Sequence, residues 1–257
     1  MRSLWLGVFV CAAMFVACGD DDSDFATQPS GGSPLSSSSA KSSGSVYRSG
    51  PCKVETDENC FKDDRDGQTY KTVKIGDQVW MAENLNFETD SSFCYKDSAE
   101  YCEQYGRLYT WAAAMDCAGT WSTNGKGCGY GKTCSPTYPV RGVCPQGWHL
   151  PTQTEWNTLF NAVGGSSVAG TKLKSTSGWY NSGNGTDAFS FSALPAGNRN
   201  SNGNYSHEGD NAFFWSSTEF DSNRAYHMNL YYGYDGALLD YSNEGNGYSV
   251  RCLKDDP

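Results

Sequence analysis

Two stretches early in the folded region carry short apolar patterns. Tyr70–Ile75 and Gln78–Met81 contain β-branched and aromatic residues and flank Gly76 and Asp77. A turn-forming pair between two such runs is typical of a β-hairpin. Residues 106–115 end in strong helix formers, which predicts the start of a short helix.

The clearest helical pattern begins at Thr152. Residues 152–155 read Thr-Gln-Thr-Glu, a capping box that fixes the first turn of a helix. Apolar residues then recur at helical spacing, at Trp156, Leu159, Phe160 and Val163. We therefore predict a helix with one buried face that ends at Gly164 and Gly165.

No other long helical pattern follows, and the last third of the chain contains short apolar runs between loops of Asn, Gly, Ser and Asp. The runs predicted as strands are Phe189–Leu194, Ala212–Ser216, Ala225–Leu230 and Tyr248–Leu253. A hairpin, then helices, then short strands joined by long loops predict an α+β domain with much irregular structure.

The N-terminal segment is apolar but short for a membrane span. Residues 1–17 contain one early basic residue and then an apolar stretch, which is typical of a signal peptide. Cys18 follows Ala17 where apolar sequence gives way to polar sequence, an arrangement that resembles a bacterial lipobox. We predict a lipoprotein signal peptide over 1–17 and lipidation of Cys18, with simple secretion as the alternative.

A polar segment follows this cysteine. Residues 18–50 begin with an acidic run and continue as a Ser/Gly-rich tract that cannot form a core. The acidic run resembles the surface-export signal of some bacterial lipoproteins, and the alternative is a solvated start to a linker. We predict a flexible tether over 18–50, a Cys-flanked lead-in over 51–65 and one folded domain over 66–254.

The composition narrows the class of protein. Aromatic residues make up 14% of the 257 residues, which excludes a fully disordered chain. The formal net charge is −10 without a visible basic stripe, so nucleic acid is not an expected partner. No apolar run beyond the N-terminus is long enough for a membrane helix, which excludes a multi-span membrane protein.

The cysteines indicate an oxidising compartment. Cys11 leaves with the signal peptide and Cys18 would carry lipid, so the others are first interpreted as disulfides. The predicted pairs are Cys52–Cys60, Cys94–Cys102, Cys128–Cys134 and Cys144–Cys252. Cys117 is left over, either as a free buried thiol or in place of one of these partners. Because no Cys or His pair has zinc spacing, no metal ligands are predicted.

Five stretches follow one another along the chain: DGQTYKTVKIGDQVWMAENL (66–85), YGRLYTWAAAM (105–115), CPQGWHLPTQTEWNTL (144–159), FWSSTE (214–219) and YSVRCLK (248–254). Together they resemble the Fibrobacter succinogenes major paralogous domain. The resemblance implies an exported, often lipid-anchored bacterial protein, and it implies no particular biochemical activity.

A more distant resemblance concerns the fold. Residues 148–156 are similar to the Arg-Leu-Pro-Thr-Glu-Ala-Glu-Trp stretch of formylglycine-generating enzymes, and residues 248–252 to the Gly-Phe-Arg-Cys ending of that superfamily. This implies a C-type-lectin-like fold with short strands, one or two helices and long disulfide-pinned loops. The chemistry of those enzymes needs a reactive cysteine pair late in the domain, whereas Cys252 is the only cysteine after Cys144. We therefore expect no enzyme activity, and an oxidoreductase of that kind is the least favoured alternative.

The loops after residue 178 carry the candidate binding residues. Tyrosines interleave there with asparagines, and aromatic rings can stack on sugar rings while Asn and Asp bond their hydroxyls. The predicted ligand contacts are Trp179, Asn204, Tyr205, His207, Tyr231, Tyr232, Tyr234 and Asp235, with Tyr180 as a further candidate. In a strand Tyr231 and Tyr232 point to opposite faces, so we expect only one to contribute. The alternative is that Asn and Gly serve turns.

The chain lacks the residue triplets of a calcium-dependent sugar site. Lectins of the implied fold use a Glu-Pro-Asn or Gln-Pro-Asp triplet with Trp-Asn-Asp, and the chain has neither arrangement. No cofactor is predicted, although loop carboxylates could hold a structural Ca²⁺. The candidates are Asp187, Asp210, Glu219 and Asp221.

Together these features predict a surface-exposed, non-catalytic binding or adhesion protein, anchored by lipid in a bacterial outer membrane. The expected partners are that membrane and a plant-fibre or envelope polysaccharide, and the alternative is a structural protein that contacts other envelope proteins. Geometry distinguishes these functions. Aromatics that converge in one concave site favour sugar binding, whereas a flat tyrosine and asparagine face favours adhesion or protein contacts.

Overall fold

The computed structural model describes residues 51–256, so the signal peptide, Cys18 and the tether lie outside the described residues. The strands are β1 (Cys60–Lys62), β2 (Thr69–Ile75), β3 (Gln78–Met81), β4 (Ser92–Phe93), β5 (Leu108–Tyr109), β6 (Trp148–His149), β7 (Ala196–Arg199), β8 (Tyr205–Glu208), β9 (Asn211–Asp221), β10 (Arg224–Tyr231), β11 (Leu238–Asn243) and β12 (Leu253–Lys254). The helices are α1 (Ala99–Tyr105), α2 (Trp111–Ala114), α3 (Gln153–Ala162) and α4 (Ser166–Leu173), with 3-10 turns at Tyr95–Asp97 and Tyr180–Ser182. None of these helices has the length and apolar character needed to cross a bilayer. The described part is an α+β domain, as predicted.

Two five-stranded sheets organise the domain. The first has the antiparallel order β1-β2-β3-β12-β6, so the C-terminal strand inserts beside the N-terminal hairpin. The second has the order β11-β10-β9-β7-β8, in which β7 is parallel to β9. Strand β1 lies within the lead-in and pairs with β2, which joins the lead-in to the first sheet.

The two strongest local predictions are confirmed. β2 and β3 form the predicted hairpin, with Ile75 opposite Gln78 across the turn. At the start of α3, the Thr152 hydroxyl accepts from the Glu155 backbone N–H at 3.2 Å. The Glu155 carboxylate in turn accepts from the Thr152 backbone N–H at 2.7 Å, which completes the capping box.

Aromatic side chains fill the core on both faces of the second sheet. On one face Trp80 stacks on Trp156, with ring centroids 4.6 Å apart, and Phe214 of β9 packs beside them. On the other face the next residue, Trp215, packs against Tyr248 with centroids 4.4 Å apart. Neighbouring residues of β9 therefore enter two separate clusters, as the alternation of side chains along a strand requires.

Helix α4 was not predicted from the sequence. It begins after Gly165 without a side-chain cap and contains Gly170, which lowers its intrinsic helix propensity. It forms because Ala169 and Leu173 are completely buried in the core. Gly170 is needed at this position, since a Cβ there would lie only 2.2 Å from the carbonyl oxygen of Gly236. Tertiary contacts thus decide the structure of this segment.

Two of the predicted strands are wrong or mostly wrong. Phe189–Leu194 is irregular, because Ser190 and Ser192 have φ values of 56° and 52° that no strand permits. In Tyr248–Leu253 only the last residue lies in a strand, and the segment before it makes isolated bridges. Ala212–Ser216 and Ala225–Leu230 lie within β9 and β10, and the short helix predicted near 106–115 is α2.

All four predicted disulfides are present. They are Cys52–Cys60, Cys94–Cys102, Cys128–Cys134 and Cys144–Cys252. The last one closes 108 residues and joins the segment before β6 to the segment before β12. Cys117 is buried, and it displaces none of these pairs.

A buried histidine joins α3 to the end of the chain. The two ring nitrogens of His149 lie 2.7 Å from Asp255 Oδ1 and 3.0 Å from Glu155 Oε1. Burial by itself lowers the pKa of His149, but the hydrogen bonds and charges of both carboxylates outweigh it and raise the pKa above its usual value. Burial likewise opposes ionisation of Glu155, but His149 and the Thr152 amide lower the pKa of that carboxyl.

We expect His149→Gln to lower the free energy of unfolding by about 2 kcal/mol at pH 5.5 and by less at pH 9. Because the folded pKa of His149 is raised, its contribution is complete below the unfolded value of 6.5 and is lost as the pH rises through the folded value. The pKa of Glu155 is lowered, so its contribution is lost only as the pH falls below 4.5. Urea unfolding followed by tryptophan fluorescence measures both losses. Equal losses at the two pH values would contradict a charged role for His149.

Candidate functional site

Four tyrosines lie in the loop before β7 and where β10 ends and its turn begins, and we call them the tyrosine ridge: Tyr180, Tyr231, Tyr232 and Tyr234. Tyr180, Tyr231 and Tyr234 are 62%, 38% and 44% exposed. The ring of Tyr232 lies between two of the others, 5.3 Å from Tyr180 and 4.4 Å from Tyr231, measured between centroids. Exposed aromatic rings in contact with one another form a surface that can stack on a ligand.

A buried lysine holds the turn of the ridge in place. The Lys174 ammonium donates to the carbonyl oxygens of Tyr231, Tyr232 and Tyr234 at 3.1, 3.4 and 3.2 Å. Lys174 is only 2% exposed, and burial lowers the pKa of its ammonium while the nearby Asp235 opposes that shift. One cation therefore satisfies three carbonyls of the same turn and fixes its backbone.

Close backbone approaches lock the surrounding loops onto the ridge. The backbone N–H of Tyr232 donates to Asp210 O at 2.9 Å, and that of Tyr180 donates to Gly209 O at 2.8 Å. Gly183 approaches so closely that a Cβ there would lie 2.5 Å from the Tyr232 carbonyl oxygen. The ridge is therefore preorganised, since its loops have little freedom left to lose on binding.

The expectation that only one of Tyr231 and Tyr232 contributes is wrong. β10 ends at Tyr231, so Tyr232 lies in the following turn, where strand alternation no longer applies. Their rings touch, and a hydrogen bond between the two side chains raises the pKa of the Tyr232 hydroxyl. Asp235 belongs to the same turn, where its carboxylate accepts from the Thr171 hydroxyl at 3.0 Å.

Trp179 is a core residue rather than an exposed ligand contact. It is 5% exposed, and its Nε1 donates to Ser175 Oγ at 3.0 Å and to Ala193 O at 3.2 Å. The Lys174 ammonium lies 5.3 Å from its ring centroid. Trp179 thus supports the ridge from below, while the adjacent Tyr180 is exposed.

The remaining predicted contacts lie on the β7–β8 hairpin. The Tyr205 hydroxyl donates to Asp97 Oδ1, and its ring packs on Tyr95 with centroids 5.2 Å apart. Asn204 is exposed and serves the hairpin turn, since its carbonyl accepts from the Asn200 N–H at 2.7 Å. His207 is exposed with φ +63°, just before the turn that supports the ridge. The eight predicted contacts therefore divide between two places.

Comparison with known proteins identifies the family. A family model described as the Fibrobacter succinogenes major domain matches residues 73–254. The chain belongs to the Fibrobacter succinogenes major domain family. The match begins within β2 and extends through β12, so it contains both the tyrosine ridge and the buried lysine. No curated protein and no solved structure matches the chain.

The carboxylates proposed for one calcium site do not converge in this Fibrobacter succinogenes major domain. Asp187 accepts from the Ser192 backbone and hydroxyl, Asp221 pairs with Arg224, and Glu219 accepts from the Cys134 N–H. Across residues 51–256, no three His, Cys, Asp or Glu side chains lie close enough to hold one metal ion. Asp187 and Asp221 instead satisfy neighbouring donors, which is the usual role of loop carboxylates.

A large cleft of the domain lies apart from the ridge. It has a volume of about 840 Å³ and lies between the lead-in, α1 and the loop before β7. The carboxylates that line it are Asp57, Glu83, Glu100, Glu103 and Asp187, with Lys71 as the basic member. None of the eight predicted ligand contacts lines this cleft. The predicted ligand contacts therefore lie outside this cleft.

Lys174 was not predicted as a site residue from the sequence. A lysine in a polar stretch is usually solvated, and nothing local indicates that it is buried. The available signal is its position directly after the apolar face of α4, where Leu173 is buried. The burial of Lys174 can therefore be predicted only if α4 is predicted first.

Proposed function

We propose that the domain is a non-catalytic adhesion module that holds a polysaccharide chain against its tyrosine ridge. The observation that carries this proposal is the buried Lys174, which fixes three carbonyls of the turn and presents the rings to solvent. Aromatic rings held at the surface leave apolar area exposed to water, which is unfavourable. Such a surface therefore indicates a site that contacts a ligand or a partner.

The chemistry of the ridge suits sugars. A tyrosine ring offers an apolar face to the C–H surface of a pyranose, and its hydroxyl bonds the ring substituents. Asp235 and Asp210 lie beside the rings and can accept from sugar hydroxyls. The backbone is already fixed, so binding a sugar orders few additional groups.

The shape of the ridge favours a polymer over a small sugar. An exposed ridge can contact the middle of a long chain, whereas an enclosed pocket admits a chain end or a small molecule. The ring of Tyr232 is inclined by 88° to Tyr180 and by 58° to Tyr231. Rings at such angles contact successive residues of a single twisted chain better than a flat crystalline face.

We also propose that lipid at Cys18 anchors the protein in the outer membrane, with the module exposed at the cell surface. The supporting features are the lipobox-like sequence and the Ser/Gly-rich tether, which together would hold the domain away from the bilayer. Metabolic labelling with a palmitate analogue, compared between wild type and Cys18→Ala, tests this anchor.

The finer fold that we propose is C-type-lectin-like. Its support is the C-terminal β12, which pairs between β3 and β6 and is pinned by Cys144–Cys252. The same disulfide favours a non-catalytic module, because Cys252 is engaged and cannot act as a reactive thiol.

Binding to insoluble cellulose and xylan, and to a soluble glycan array, tests the proposed function. We expect saturable binding by the wild type and a loss of about tenfold or more in affinity for Tyr180→Ala and Tyr232→Ala, equivalent to about 1.4 kcal/mol. Tyr130→Ala is the matched control, because Tyr130 is 48% exposed but lies in another loop.

The outcomes separate the ligand classes. Loss of glycan binding in the ridge variants but not in Tyr130→Ala supports the proposal. Absence of binding to every glycan by the folded wild type overturns it. Crosslinking to an envelope protein that depends on Tyr180 would then assign the ridge to protein contacts.

A further inference from the structure

Glu244 is a buried carboxylate without a partner. The residue is 1% exposed and lies in the segment between β11 and β12. Neither of its side-chain oxygens has a hydrogen-bond donor, although both are shielded from solvent. Its backbone is fixed, since its carbonyl accepts from the Trp111 N–H at 2.9 Å and its N–H donates to Asn223 O at 3.0 Å. A buried charge in this condition is costly unless something compensates it.

The surroundings of Glu244 are negative. Glu219 and Asp221 of β9 both act on it electrostatically, and with burial they raise the pKa of Glu244 to about 8. Arg224 is the nearby basic residue, but it is paired with Asp221 and packs over the rings of Phe220 and Tyr241 at 4.7 and 4.8 Å. The surrounding charge therefore disfavours the ionised form of Glu244 unless a cation accompanies it.

We propose that Glu244 and Glu219 bind one divalent cation, for which Ca²⁺ has the best-matched chemistry. The groups available are carboxylate oxygens, and both of those on Glu244 are buried without a partner. Ca²⁺ accepts six to eight such oxygens in flexible geometry and completes its shell with water. Thiolates and imidazoles, which favour Zn²⁺, take no part in this cluster.

A cation at this position would join two parts of the chain. Glu244 precedes the last strand, whereas Glu219 is near the end of β9 and accepts from the Cys134 N–H at 3.1 Å. The ion would thus fix the final segment to β9 and to the loop closed by Cys128–Cys134. Binding to the folded state alone raises the melting temperature, and this effect provides the readout.

Thermal unfolding of the purified full chain in detergent, at pH 7.5 with EDTA or with 2 mM CaCl₂, tests the site. We expect CaCl₂ to raise the melting temperature by about 5 °C or more in the wild type and by nearly nothing in Glu244→Gln. Asp240→Asn is the matched control, because Asp240 is an exposed carboxylate on β11 and should keep the full response. Equilibrium dialysis with radioactive Ca²⁺ counts the bound ions directly.

Three results would overturn the proposal. These are no shift and no bound ion in the wild type, a shift that persists in Glu244→Gln, or a shift that Asp240→Asn also abolishes. With no ion bound, Glu244 would instead be a protonated acid, and Glu244→Gln would then be more stable than the wild type at pH 9 in EDTA. If Glu244→Gln fails to fold, Glu219→Gln must show a weakened response for the proposal to stand.

Discussion

The double variant Cys144→Ala with Cys252→Ala should lose about 4–5 kcal/mol of unfolding free energy. This is the largest loss of stability that we expect from any variant. The disulfide closes 108 residues, and the conformational entropy that a crosslink removes from the unfolded chain grows with the logarithm of that length. Both cysteines are completely buried, so alanine introduces no polar group into the core.

A short disulfide supplies the matched control. Cys94 and Cys102 are separated by only 8 residues, so replacing both with alanine should cost about 2.5 kcal/mol. Urea unfolding of the three proteins under oxidising conditions measures the difference. A loss at Cys144 and Cys252 no larger than the loss at Cys94 and Cys102 would show that loop length is not the governing quantity.

Arg251→Met should cost about 3–5 kcal/mol of unfolding free energy, because it leaves several buried acceptors without donors. The Arg251 guanidinium is completely buried and donates to Asn84 Oδ1 at 2.7 Å and to Ser192 O at 3.0 Å. It also donates to the carbonyl oxygens of Met81 and Phe191. Burial lowers the pKa of Arg251, while Glu83 and Asp187 of the acidic cleft partly restore it.

Two further variants separate the charge of Arg251 from its donors. Arg251→Lys keeps a positive charge but cannot reach all four acceptors, so we expect an intermediate loss. Arg224→Met removes a half-exposed arginine that pairs with Asp221, and it should lose much less. If Arg251→Met and Arg224→Met lose the same amount in urea unfolding, the buried hydrogen bonds do not account for the role of Arg251.

Local signals predicted part of this fold well. The capping box at Thr152, the Gly76–Asp77 turn and the disulfide pairs each depend on residues close in sequence or on the known preference of exported cysteines. Cys144–Cys252 is a distant pair, and the sequence left Cys117 as an alternative partner, so the structure was needed to decide between them.

The parts of the fold and of the candidate site that were not predicted depend on tertiary contacts. α4 forms around a glycine because its apolar face is buried, and Phe189–Leu194 leaves the strand conformation where Ser190 and Ser192 have positive φ. Of the candidate site, the exposed tyrosines after β10 were predictable from composition. The burial of Trp179 and the role of Lys174 were not, because both depend on how separate loops pack.

The Cys52–Cys60 disulfide has a consequence for a domain held under mechanical load. Cys52 lies before β1, and its partner Cys60 is the first residue of β1, which pairs with β2. A pull applied through the residues before Cys52 would therefore act on Cys60 through a covalent bond, and the intervening loop would carry none of the force. Unfolding under force would have to begin with the hydrogen bonds between β1 and β2. The loop between Cys52 and Cys60 could not extend first.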